Sequence, residues 1–137
     1  MNKLIRFGVS MEKDLLDRFD SHIKDKNYTN RSEAIRDMIR QEIIKKEWEE
    51  GKQCAGAIVI IYNHHKRTLL NKLTSIQHEY QKIIISATHV HLDHHNCMEI
   101  IAFRGQPVHV LKLYNSLKSI KGVKHGTISL TSAHLTS

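Results

Sequence analysis

The sequence predicts an α+β protein in two parts, an N-terminal strand followed by two helices and a C-terminal βαββαβ unit. Three observations carry that prediction. Ile5 to Met11 alternate apolar and non-apolar side chains, the period of a half-buried strand. The apolar spacing then becomes helical, first at Leu15, Leu16, Phe19 and Ile23 and again at Ala34, Ile35, Met38, Ile39 and Ile43. Beyond Trp48, strand-like and helix-like runs follow in the order strand, helix, strand, strand, helix, strand.

In the first strand, Ile5, Phe7, Val9 and Met11 share the face toward a core, leaving Arg6, Gly8 and Ser10 in an outward row. A single strand is not stable in water, and no other strand-like run occurs before residue 55, so its expected partner is the same strand of a second chain. A helix is predicted from about Glu12 to Lys24, ending in the turn-like Asp25-Lys26-Asn27-Tyr28. A second opens at Asn30, where Asn30 and Glu33 have the spacing of a capping box. Strand, helix and helix, with the strand paired across a dimer, form a ribbon-helix-helix plan. Residues 1–48 are read as that domain and 49–54 as a linker, because Glu49-Glu50-Gly51-Lys52-Gln53 breaks the periodicity.

Residues 55–137 are read as the second domain. Ala55 to Tyr62 is an apolar run of strand length, followed by the polar turn Asn63-His64-His65-Lys66. Leu69, Leu70, Leu73 and Ile76 mark a helix. Strands at Ile83 to His91 and Cys97 to Phe103 form a hairpin around Leu92 to Asn96. A helix is predicted over about Gln106 to Leu117, and Gly122 to Gly126 lead into a last strand, Thr127 to Thr131. This order is a ferredoxin-like unit of the ACT kind.

The chain has 137 residues, 40% of them hydrophobic and 26% charged, with one proline, so the composition is globular rather than disordered. A formal charge of +7 favours a polyanionic partner. Met1 to Arg6 contain no apolar segment of signal-peptide length, and no run reaches transmembrane length, so a cytoplasmic location is expected. With two cysteines, Cys54 and Cys97, and no secretory signal, a disulfide is not expected; Cys54 is read as an incidental thiol.

Chemistry concentrates in Thr88-His89-Val90-His91-Leu92-Asp93-His94-His95-Asn96-Cys97. His89 and His91 lie two apart on a strand and so share a face, and a short turn brings Cys97 back toward them. Two imidazoles and a thiolate suit Zn, Ni, Cu or Co and make a poor cage for Mg or Ca. His89-x-His91-x-Asp93-His94 also spells the H-x-H-x-D-H signature of metallo-β-lactamase-fold hydrolases. That fold is considerably larger than this chain and needs further ligands downstream. No paired nucleophile and base stands outside the cluster, so the chain is read as non-catalytic.

Asn30-Arg31-Ser32-Glu33-Ala34-Ile35-Arg36-Asp37, with Leu15-Leu16 and Phe19-Asp20, resembles the ribbon-helix-helix domain of the nickel-responsive regulator (NikR) family. Gln77-His78, Thr88-His89-Val90-His91 and Asn96-Cys97-Met98-Glu99 are similar, in the same order and spacing, to that family's metal domain. The resemblance covers nearly the whole chain. It implies one Ni(II) per chain in a square plane, held by His89, His91 and Cys97 of one chain and His78 of a neighbour across a tetramer interface. It also implies base readout by Arg6, Gly8 and Ser10, although Gly8 stands where relatives often carry Ser or Thr and has no side chain to contact a base. Phosphate contacts are implied at Asn30, Arg31 and Ser32 and at Lys66 and Arg67, and a potassium-like ion between the domains at Glu33 and Asp37. Glu99, on the strand face of Cys97, is a candidate acceptor for a ligand imidazole N–H. His64, His65, His94 and His95 are assigned to no high-affinity site.

The expectation is therefore a nickel-responsive repressor, a dimer of dimers on a DNA operator of two half-sites, controlling nickel-import genes. Two rivals remain at this stage: a ribbon-helix-helix regulator whose ACT-like domain senses an amino acid or another transition metal, and a metal-dependent hydrolase.

Overall fold

The computed structural model describes residues 2–134, which fall into two compact units divided between Lys45 and Lys46. In the first unit, residues 2–12 carry no regular structure in the isolated chain, α1 spans Lys13–Asp25 and α2 spans Arg31–Glu49. Asn27 adopts φ 64°, a left-handed conformation that asparagine tolerates, and the amide of Tyr28 bonds back to the carbonyl of Ile23 at 3.0 Å. The chain thereby turns out of α1. Asn30 then caps α2, its Oδ1 accepting the amide of Glu33 at 2.8 Å. The reciprocal half of the expected capping box is replaced, because the Glu33 carboxylate accepts from the Thr29 hydroxyl at 2.6 Å.

Only Ile23 and Ala34 are buried among the described residues of this unit. Ile5, Phe7 and Val9 are 79%, 71% and 62% exposed, and Met38, Ile39 and Ile43 are each about half exposed. The strand predicted over Ile5 to Met11 is therefore not formed in one chain, where no second strand is present to pair with it, and its apolar side chains, like those of the α2 stripe, lie uncovered. A unit this small cannot bury enough surface by itself, and pairing with a second copy is the physical remedy.

The second unit contains β1 (Cys54–Tyr62), α3 (Arg67–Glu79), β2 (Ile84–His91), β3 (Cys97–Gly105), α4 (Pro107–Lys118) and β4 (Val123–Ser132). The strands form one antiparallel sheet in the order β2-β3-β1-β4, the arrangement of a ferredoxin-like fold. Alternation places Ile58, Ile60 and Tyr62 of β1 on one face with Ile101 and Phe103 of β3, all of them buried. Leu69 and Leu73 of α3 and Val110, Leu113 and Leu117 of α4 complete that core. Cys54, expected to be incidental, is fully buried within it.

Gly56 permits the tight pairing of β1 with β4: a Cβ there would lie 1.9 Å from the carbonyl oxygen of Ser129. Pro107 opens α4 at a position where its missing N–H is not needed. The last strand is longer than its sequence suggests. It starts at Val123 rather than Thr127, because Gly122 turns the chain at φ 105° and β1 offers pairing partners as far as Tyr62, where the register shifts.

Candidate metal centre and nucleic-acid interface

Strand register sets the side chains in rows. Across the sheet, His91 of β2 pairs with Cys97 of β3, which pairs with Tyr62 of β1; one step along, His89 pairs with Glu99 and Glu99 with Ile60. Residues directly opposite one another share a face, so His89, His91, Cys97, Glu99 and Tyr62 all project toward the same side. The spacing predicted from sequence is thus realised, with Cys97 buried and both histidines exposed on the edge strand.

Cys97 Sγ lies 3.4 Å from His91 Nδ1. Two ligands at about 2.0 Å (N) and 2.3 Å (S) from one ion are about 3.1 Å apart at a right angle and about 3.5 Å apart at a tetrahedral angle. The observed separation falls inside that interval, so the pair can share an ion without rearranging the strands. His64, which follows β1 by two residues, joins them: the ligand atoms of His64, His91 and Cys97 all lie within 4.8 Å of one another. His64 Nδ1 is buried and has no hydrogen-bond partner, an orphaned atom that a cation would satisfy. The sequence reading missed this residue, because its approach depends on Tyr62 pairing opposite Cys97.

His89 stands beside this group, its ring centroid 5.1 Å from that of His91. Its Nδ1 is 2.9 Å from the Tyr62 hydroxyl. With Nδ1–H donating to that oxygen, Nε2 keeps a lone pair available to a metal. Burial, and after it the charges of Glu99 and Cys97, push the Tyr62 phenol far above its usual range, so it stays a neutral hydroxyl. Glu99 does not accept from a histidine here; its carboxylate accepts from the Gln77 amide at 2.7 Å. Burial raises the Glu99 carboxyl, opposed by the Gln77 hydrogen bond and by His89. Tyr62, Gln77, His89 and Glu99 line a cavity of about 240 Å³ adjoining the metal-ligand row. His78 is exposed in the last turn of α3 and is not part of the three-residue group.

The Cys97 thiol is held above its ordinary range by burial first, and then by the nearby carboxylates Asp93 and Glu99. Those carboxylates disfavour a bare thiolate and favour a cation beside it. A thiol, imidazoles and a neighbouring negative potential fit a soft or borderline divalent ion, and they do not fit an oxygen-seeking one.

Residues 55–131 match the family described as the NikR C terminal nickel binding domain, and residues 5–46 match the ribbon-helix-helix proteins of the copG family. A protein of Syntrophus aciditrophicus named as a nickel-responsive regulator is 57% identical over 131 residues, 96% of either chain. This chain belongs to the nickel-responsive regulators. Similarly named relatives include one from Chlorobium limicola, 56% identical over 97% of this chain and 99% of its own, and one from Dictyoglomus thermophilum, 52% identical over 96% and 98%. An uncharacterized protein of Thermotoga maritima shares the fold of part of the chain, with a TM-score of 0.50 and 8% identity over 61% of this chain and 100% of its own. Membership in the nickel-responsive regulators makes the chain a DNA-binding regulator with a nickel-binding domain and not an enzyme, and it implies oligomerisation. No described helix is long and apolar enough to cross a membrane.

The residues implied to meet DNA occupy varied surroundings. Arg6, Gly8 and Ser10 lie exposed in residues 2–12, and a side chain at Gly8 would meet nothing within 4 Å. Arg31, at the start of α2, is already engaged, its Nε and Nη2 each donating to Asp20 of α1 at 2.8 Å. That bridge holds the Asp20 carboxyl below its usual range. Ser32, Lys66 and Arg67 are exposed, the last two at the start of α3. Asp37 accepts from the Tyr28 hydroxyl and, at 3.3 Å, from the Gln41 amide, while Glu33 accepts from Thr29. Both carboxylates are thereby fixed in place.

Proposed function

We propose that this regulator is a cytoplasmic repressor of nickel-import genes that holds one Ni(II) per chain through His89, His91 and Cys97 together with His78 of a neighbouring chain. The observation that carries the reading is the 3.4 Å approach of Cys97 Sγ to His91 Nδ1, within a segment matching a nickel-binding family. Three nitrogens and a thiolate suit Ni(II), which tolerates a square plane, better than Zn(II), which prefers a tetrahedron. The exposed position of His78 at the end of α3 leaves it free to serve a second copy. Bound nickel supplies a link between chains, and its effect on DNA binding is limited to its differential affinity for the arrangements it selects.

The protein's own residues do the rest. Tyr62 orients His89, and Glu99 with Gln77 supports the α3 end of the site. In the assembly, a tetramer built as a dimer of dimers, the paired ribbons lie in the major groove, with Arg6 and Ser10 reading bases and Gly8 allowing close backbone approach. Asn30, Arg31, Ser32, Lys66 and Arg67 contact phosphates, and two ribbon pairs match an operator of two half-sites. Glu33 and Asp37, spaced one helical turn apart, are proposed to hold a K+ ion. In vitro selection of DNA with the nickel-loaded full chain tests the reading. Enrichment of a two-half-site sequence bound only with nickel, and lost in Arg6→Ala, supports it. Selection of the same sequence with and without metal contradicts it.

A second reading of the ligand set rests on the position of His64, whose ligand atom is grouped with those of His91 and Cys97, a group that His89 does not join. Loss of nickel binding in His64→Ala with retention in His89→Ala would favour it.

A further inference from the structure

The side-chain cations proposed to meet DNA are Arg6, Arg31, Lys66 and Arg67. Among the described residues, Arg31 is the one of these held in an ion pair. Its Nε donates to Asp20 Oδ1 and its Nη2 to Asp20 Oδ2, each at 2.8 Å, so one edge of the guanidinium occupies both carboxylate oxygens. Asp20 stands on α1 and Arg31 opens α2, and their side chains are 40% and 56% exposed. A two-bond fork of planar groups is the geometry in which a surface ion pair holds together.

The fork changes what Arg31 offers to DNA. Affinity for DNA of any sequence comes from cations that neutralise phosphates and release their counterions. A cation paired with a carboxylate at 2.8 Å is far inside the screening length of about 10 Å at 0.1 M salt, so it presents a phosphate with a dipole in place of a net charge. Arg31 can still serve as a contact. Its Nη1 hydrogens lie outside the fork. Its backbone amide also belongs to the first turn of α2, where Asn30 takes up only the amides of Glu33 and Ala34. Both contacts depend on position and not on free charge.

We infer that Asp20 is a specificity-determining residue for DNA: by cancelling the charge of Arg31 it keeps that side chain from adding to sequence-independent binding, while holding it in place for a positioned phosphate contact. The inference rests on the proposed reading that the start of α2 faces the duplex. It sets Arg31 apart from Arg6, Lys66 and Arg67, whose charges are open to any duplex.

The test is binding of the full-length protein to an operator-free duplex, followed by fluorescence anisotropy from about 50 to 200 mM salt. Asp20→Asn should bind that duplex more tightly than the parent. It should also steepen the fall of log affinity with log salt by about 0.9 for each Arg31 facing the duplex, a further ~3.5-fold loss per contact across that range. Arg31→Lys, which keeps the charge but cannot make the fork, should shift the slope in the same direction. Asp20→Asn added to Arg31→Ala should not reproduce the increase. Partial unfolding of a variant weakens binding and so cannot imitate a gain. An unchanged slope in both single variants, or an equal increase with Arg31 absent, would overturn the inference. Ser32→Glu separates that failure from failure of the underlying reading, because it places a negative charge at the same helix start and should weaken binding to the same duplex. If it does so while Asp20→Asn changes nothing, the masking is wrong and the start of α2 still faces DNA; if Ser32→Glu is also without effect, both fall.

Discussion

Tyr62→Phe removes one oxygen from the site and leaves its packing in place. The tyrosine is 1% exposed, and its hydroxyl meets His89 Nδ1 at 2.9 Å. Deleting a hydrogen bond of this kind costs about 0.5–1.5 kcal/mol of stability. The lower end applies, because His89 is exposed and its freed nitrogen can turn to water. Metal affinity should suffer more. Loss of a partner that orients a ligand imidazole lowers affinity by about 10- to 100-fold, equivalent to about 1.4–2.7 kcal/mol. The two effects are separable by urea unfolding of metal-free protein and by nickel competition against a chelator of known affinity. A variant that binds nickel like the parent would refute the claim that Tyr62 orients a metal-binding His89. An unfolding loss larger than the binding loss would show instead that the hydroxyl serves the fold.

The remaining predictions concern protons and packing. Nickel must displace the proton of a Cys97 thiol held above its usual range; affinity should keep climbing with pH beyond the ordinary thiol range, and below it should fall about tenfold per unit for that proton. Chelator competition across pH checks this, and a flat profile would exclude Cys97 as a ligand. Asp20, depressed by its bridge to Arg31, contributes stability that is present above its unfolded pKa and lost as pH falls through its lower folded value. Asp20→Asn should therefore be less stable than the parent at neutral pH and indistinguishable from it in strong acid, as read by urea midpoints. Phe103→Ala empties a fully buried position at the centre of the second unit and should cost about 3–5 kcal/mol in the same assay.

The second unit was readable because its strands announce themselves: the apolar run at 55–62 and the alternation around His89 and His91 are periodic enough to place those strands, while β4 begins at Val123, earlier than its sequence suggests. The spacing of His89 and His91 alone puts them on one face, and the observed register keeps them there. What escaped the sequence depends on pairing between distant strands. Tyr62 reaches His89 across 27 positions, and His64 approaches Cys97 because Tyr62 is opposite it. No local pattern encodes either. The Glu33 side chain illustrates a nearer miss, since the capping-box spacing was present but Thr29 offered a competing hydroxyl. In the first unit, the apolar rows of Ile5, Phe7 and Val9 and of Met38, Ile39 and Ile43 are legible as faces in search of a partner, and their exposure in one chain bears out that need without identifying its geometry.

Titration of the reduced, metal-free protein with nickel, followed by thiolate-to-nickel absorbance, tests the central claim most directly, with Cys97→Ala and His78→Ala measured beside it. The band should saturate at one nickel per chain, vanish in Cys97→Ala and weaken in His78→Ala. A parent protein with no thiolate band, or a His78→Ala variant that titrates like the parent, would contradict a nickel site shared between chains.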